Sequence, residues 1–168
     1  MRKSNYDKSP STAVEGRLWK GWESVLGKLK EECEECRGSE LARRVVVIEC
    51  YHGVYLEEFA QHLATLQPSL MIHSADFFKG VEEVEAMTYP YLTDDRLFGR
   101  RASFRYPDFL DEEKMQAYRE KIKEAKGLVI VWGQGAACLI SEPDLLVYAD
   151  MARWEIQQRF RRQEIDGL

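Results

Sequence analysis

The sequence predicts an α/β protein in which a parallel sheet carries helices on both faces. Two runs, residues 45–50 and 128–132, are apolar at every or nearly every position and rich in β-branched side chains. Such runs fit strands buried on both faces, as parallel strands are. Around them lie segments whose apolar residues recur at spacings of three and four, the helical period. Strand-like and helix-like segments alternate, which a sheet of right-handed crossovers requires.

Residues 1–17 are polar, contain Ser9-Pro10-Ser11-Thr12 and read as an extended lead-in. Residues 18–36 form the first helix, with Leu18, Trp22, Val25, Leu26 and Leu29 on one face and Gly38-Ser39 closing it. The first strand, 45–50, is followed by a helix over 54–66 that aligns Leu56, Phe59, Ala60 and Leu63. Residues 70–73 are a short second strand, and 81–87 a short helix. An irregular stretch, 89–109, comes next; its length and aromatic content mark it as a binding loop or lid. Asp111 is the expected N-cap of a helix reaching about residue 125, with Glu112 and Glu113 favouring its dipole and Gly127 ending it. Strands at 128–132 and 144–150 and a basic helix at 151–162 complete a single domain over 18–168.

Composition narrows the class. Of 168 residues 45% are hydrophobic and 32% charged, which excludes collagen, a disordered tail and a disulfide-stapled miniprotein. A chain of this size buries enough surface to fold without a metal or a crosslink. Twenty-nine acidic against 24 basic residues leave a net charge of -5, which disfavours nucleic acid as a partner. The longest apolar run, 42–50, is broken by Arg43 and Arg44, so no membrane span is expected. The first residues lack the apolar core of a signal peptide, and Cys33, Cys36, Cys50 and Cys138 form no secreted framework. The expected compartment is the cytoplasm.

Ligands of open parallel sheets bind beyond the carboxyl ends of the strands, so the loops after residues 49, 73, 133 and 150 hold the candidates. The first reads Glu49-Cys50-Tyr51-His52-Gly53-Val54-Tyr55-Leu56-Glu57-Glu58. A phosphate loop there needs G-x-x-x-x-G-K-[ST], and this segment has one glycine and no lysine. Glu57 and Glu58 also place negative charge where a phosphate would meet the helix N-terminus. In the second loop Asp76 could take a substrate hydroxyl proton while Lys79 holds phosphate. Equally, Asp76 caps the next helix while Phe77 and Phe78 fill the core.

The segment 93–101 gathers Asp94, Asp95, Arg96, Arg100 and Arg101. It reads as a phosphate grip with aspartates for sugar hydroxyls or magnesium, or as a solvated loop of weak ion pairs. Gly133-Gln134-Gly135-Ala136-Ala137 is half of a dinucleotide fingerprint, or simply a tight turn. Arg153, Arg159, Arg161 and Arg162 form either a phosphate clamp or a surface patch. Cys33-Glu34-Glu35-Cys36 supplies two zinc ligands where a structural site needs four, and His52, His62 and His73 share no ligand spacing. No metal is expected.

The order of these segments resembles the uridine-kinase branch of P-loop kinases. The resemblance rests on Asp76-Phe77-Phe78-Lys79, Tyr106-Pro107-Asp108-Phe109-Leu110-Asp111, the strand ending Trp132-Gly133, and Val147-Tyr148-Ala149-Asp150. It implies a P-loop nucleoside-kinase-like fold with a degenerate phosphate loop at Cys50, Tyr51, His52 and Gly53. It also implies that Asp76 would activate a hydroxyl in an active enzyme, and that arginines of the last helix approach phosphate. The sequence departs from that family in lacking the loop glycines and lysine, and in carrying Trp132 where the family has glutamate.

A second resemblance covers nearly the whole chain. Tyr6-Asp7-Lys8, Val14-Glu15-Gly16, Trp19-Lys20-Gly21-Trp22, Leu92-Thr93-Asp94-Asp95-Arg96-Leu97-Phe98-Gly99 and residues 145–162 are similar to the N-terminal region of bacterial class I mannose-6-phosphate isomerase-like proteins. Those proteins continue into a cupin domain, where the isomerase zinc would lie. This sequence has no His-x-His cluster and no run of short antiparallel strands, so isomerase activity and zinc are not expected of it alone.

The resulting expectation is a non-catalytic kinase-like module, without a cofactor of its own, that takes a sugar phosphate or nucleoside. Lys79, Asp94, Asp95, Arg96, Arg100, Arg153 and Arg159 are its candidate ligand contacts, and a cupin isomerase domain in cis or in trans is its candidate partner. The alternatives are an active uridine-kinase-like phosphotransferase using ATP–magnesium, and a module that docks a cupin domain through its aromatic loop.

Overall fold

The computed structural model describes residues 11–13, 15–35, 43–95 and 98–165. Residues 1–10 and 14 of the lead-in, the Gly38-Ser39 helix stop, Cys36 and Arg96 lie outside the described residues.

Four strands form one all-parallel sheet: β1 (Arg44–Cys50), β2 (Leu70–His73), β3 (Leu128–Gly133) and β4 (Leu145–Ala149), in the order β2-β3-β1-β4. The helices are α1 (Trp22–Glu35), α2 (Leu56–Ala64), α3 (Val81–Thr88), α4 (Glu112–Glu124) and α5 (Arg153–Arg161). Short 3-10 turns stand at Ser74–Phe77, Tyr89–Tyr91, Tyr106–Phe109 and Ala136–Cys138. Among the described residues no helix is long and apolar enough to cross a membrane.

Because side chains alternate across a strand, each inner strand feeds two cores. Val45, Val47, Ile72, Val129 and Val131 pack with Met115 and Ile122 of α4 on one face. Val46, Ile48, Cys50, Ile130 and Trp132 pack with Leu63 of α2 and Cys33 of α1 on the other. The α/β class and its two covered faces are as the apolar runs predict.

Several boundaries move for identifiable reasons. α1 starts at Trp22 because Gly21 is in the left-handed region (φ +81°), and Leu18, expected on the apolar face, is 91% exposed. α4 is capped as expected, the Asp111 carboxylate accepting from the Lys114 amide at 3.1 Å. It ends at Glu124 with Ala125 as its C-cap, close to the expected limit, but Gly127 is not what ends it. Arg43 satisfies the last carbonyls, its Nη1 donating to those of Ile122 and Lys123 at 3.2 Å. Gly127 (φ +77°) instead makes the turn into β3. Asp144 lies outside β4, and its carboxylate accepts from the Val45 amide at 2.6 Å.

The stretch 89–109 packs on itself. Tyr91, Phe104 and Phe109 form a ladder of edge-to-face rings 5.1 and 5.6 Å apart, and the Arg100 amide donates to the Tyr91 carbonyl.

Candidate functional site

The strand order fixes where a ligand can enter. β1 and β3 are neighbours, yet the connection leaving β1 runs to β2 at one edge and that leaving β3 runs to β4 at the other. The loops therefore diverge and leave a crevice at the carboxyl ends, the usual ligand position in such sheets.

The β3 side of the crevice is closed internally. Gly133 and Gly135 take left-handed backbone angles (φ +113° and +75°), turning the Gly135 and Ala137 amides toward β1. The Glu49 carboxylate accepts both, at 2.6 and 2.8 Å. A carboxylate of the chain itself thus occupies the amides that a tight glycine turn would offer a phosphate. Tyr106 packs against Gly135 so closely that no Cβ fits there. Its hydroxyl is buried without a partner among the described residues, and burial, with Glu49 adding to it, raises its pKa. The His73 ring stacks on Trp132 at 4.3 Å, and burial lowers its pKa.

The β1 side opens into a cavity of about 620 Å³ at the head of α2. His52, Gly53, Tyr55, Glu57, Glu58, Gln61 and Gln134 line it, with Glu164 and Ile165 entering from beyond α5. The turn into α2 depends on Gly53 (φ +91°), where an added Cβ would come within 3.0 Å of Ile156. His52 Nδ1 and Gln134 Nε2 meet at 3.4 Å across the crevice. Cys50 is buried behind the loop, which pushes its thiol up to about 11.

The last helix ties this loop down. The Arg159 guanidinium lies 3.6 Å over the Tyr55 ring, donates to the Gly53 carbonyl at 2.6 Å and pairs with Glu155 at 3.3 Å. The Tyr55 hydroxyl donates to Glu164 at 2.5 Å, and Arg162 donates to the same carboxylate at 2.6 and 2.8 Å. These donors hold the Glu164 carboxyl down at about 2.

The remaining candidates stand elsewhere. Asp76 is exposed in the turn after β2 and does not cap α3, whose N-cap is Gly80. Phe77 beside it is fully buried, as the packing alternative expects. Lys79 pairs with Glu83 at 2.9 Å. Asp94, Asp95 and Arg100 belong to the 89–109 stretch, where the Asp95 carboxylate accepts from the Phe98 amide. Arg153 is exposed at the start of α5. None of Asp76, Lys79, Asp94, Asp95, Arg100 and Arg153 lines the cavity; among the described residues, Arg159 alone of the expected phosphate contacts touches its loop. Among the described residues no group of three His, Cys, Asp or Glu side chains is placed to hold a metal ion.

Sequence reasoning missed Glu49, Tyr106 and Glu164. Glu49 had a visible signal, an acidic residue near the end of an otherwise apolar strand. A family model described as a domain of unknown function (DUF8485) matches residues 21–168. No curated protein and no solved structure matches the chain.

Proposed function

The chain belongs to the DUF8485 family, and on that footing we propose that it is a kinase-like module that binds a ligand at its strand ends without transferring phosphate. In this reading it serves a protein similar to class I mannose-6-phosphate isomerases, beside a cupin domain. One observation carries the absence of phosphotransfer. The cavity at the head of α2, where a P-loop kinase would hold triphosphate, is lined by Glu57, Glu58 and Glu164 and, among the described residues, by no lysine or arginine. Phosphoryl transfer is catalysed by positioning and by positive charge around the moving group. This lining offers charge of the opposite sign.

The test is incubation with ATP–magnesium and uridine or mannose, following ADP release. No ADP above the blank is expected. Release of ADP that disappears in Asp76→Asn overturns the reading and restores an active kinase.

A second reading, docking onto a cupin domain, is favoured by the exposure of Tyr89, Leu92 and Phe98 at 76%, 66% and 72% on the 89–109 stretch. Loss of co-purification with such a cupin domain in a Tyr89→Ser/Phe98→Ser variant supports it.

A further inference from the structure

We propose that the cavity at the head of α2 takes an uncharged, polyhydroxylated ring, the sugar part of a ligand, and turns away its phosphate ester. This deepens the ligand-binding reading above and rests on it.

The cavity, at about 620 Å³, is in the range of small-molecule sites and holds a monosaccharide or a nucleoside with room for water. Its polar wall consists of two primary amides, Gln61 and Gln134, the His52 imidazole and three carboxylates. Amides and imidazole both donate and accept, and carboxylates accept only. A hydroxyl also does both, so neighbouring hydroxyls on a ring satisfy such a wall, one lending its proton to a carboxylate while accepting from an amide. Val54, Leu56 and Ile165 add apolar surface for the C–H face of the ring.

A phosphate meets the reverse situation. It needs donors and positive charge, whereas the nearest guanidinium, Arg159, is spent on the Gly53 carbonyl, the Tyr55 ring and Glu155. Arg162 is engaged by Glu155 and Glu164. The backbone amides of Gly135 and Ala137, on the β3 side of the crevice, are taken by Glu49. Glu164 is both wall and latch: the Tyr55 hydroxyl it accepts is the kind of donor a ring hydroxyl would replace.

The experiment is a titration of the labelled full chain with D-mannose, uridine, mannose 6-phosphate and ATP–magnesium, followed by amide and side-chain NMR. Mannose, uridine or both are expected to shift Gln61, Gln134 and His52 with saturation, and mannose 6-phosphate to bind at least tenfold more weakly than mannose. Gln134→Leu is expected to weaken binding at least fivefold while the remaining spectrum is unchanged. An unchanged urea midpoint for Gln134→Leu checks that the loss is not general unfolding.

Equal or tighter binding of mannose 6-phosphate at these residues overturns the inference but leaves a ligand-binding module without phosphotransfer. Saturable shifts confined to other residues do the same. Absence of binding by all four probes overturns both the inference and the ligand-binding reading. ATP turnover sinks the absence of phosphotransfer independently.

Discussion

The Glu49 carboxylate and the Gly135 amide meet at 2.6 Å, joining the end of β1 to the turn after β3. The second carboxylate oxygen takes the Ala137 amide at 2.8 Å. Both strands end at the crevice, so this bidentate contact sets the separation of the two loops that frame it.

Replacing Glu49 with Gln removes the charge and turns an N–H group toward an N–H donor. Hydrogen bonds to charged groups contribute about 1.5–3 kcal/mol each, and a loss of about 2 kcal/mol is expected in urea unfolding. Hydrogen exchange at Gly135 and Ala137 should accelerate beyond the global change. Unchanged protection at both amides would contradict the contact's role.

Gly135→Ala combines a positive φ with a Cβ that runs into the Tyr106 ring. The backbone alone costs about 1–2 kcal/mol for an L-residue in that region. Adding Tyr106→Ala to Gly135→Ala should cost less than the sum of the two single changes, because one clash is shared. Strict additivity in a double-mutant cycle would show that the ring is not the obstacle.

His73 sets a pH dependence of definite sign. Burial against Trp132 lowers its folded pKa below the ordinary 6.5, so the unfolded chain takes the proton first. Stability from this group is complete above 6.5, falls as pH drops below that value and levels off once the folded imidazole titrates. Urea midpoints at pH 7.5 and 5 should differ more in the parent protein than in His73→Gln. An identical difference in both would exclude His73 as a source.

Cys50 is 1% exposed and its thiol is pushed up to about 11. Thiolate is the reactive form, so iodoacetamide at pH 8 should leave Cys50 unmodified in the folded protein and label it in urea. Peptide mass mapping reads both states. Rapid native labelling at Cys50 would mean that the β1 end opens readily.

The sheet was legible because its information is local. The β-branched runs of β1 and β3 and the limits of β2 follow from period and composition, and Asp111 caps α4 through its own neighbourhood. The end of α4 is expected at about residue 125, where its C-cap stands, but the group that satisfies it was not legible: Arg43, far away in sequence, takes the last carbonyls in place of a C-terminal glycine. The site was less legible for the same reason. The loop after β1 is recognisable by position and by its missing lysine. That Glu49 would fill the amides after β3, or that Glu164 would reach Tyr55, depends on three-dimensional closure that no spacing encodes. Lys79 and Arg159 looked like phosphate contacts by residue type, yet neighbouring glutamates engage both.

The sheet order has a consequence for how the chain reaches this state. β1 is an inner strand, and its ladder partners β3 and β4 both come from the far half of the chain. Neither edge of β1 can therefore be hydrogen-bonded while the first half emerges from the ribosome. Non-local pairing of this kind slows folding, and a nascent segment as apolar as Val45-Val46-Val47-Ile48 is left as an open strand edge meanwhile. Until residues 128–149 are available, the strand that holds the middle of this sheet has neither of its ladder partners.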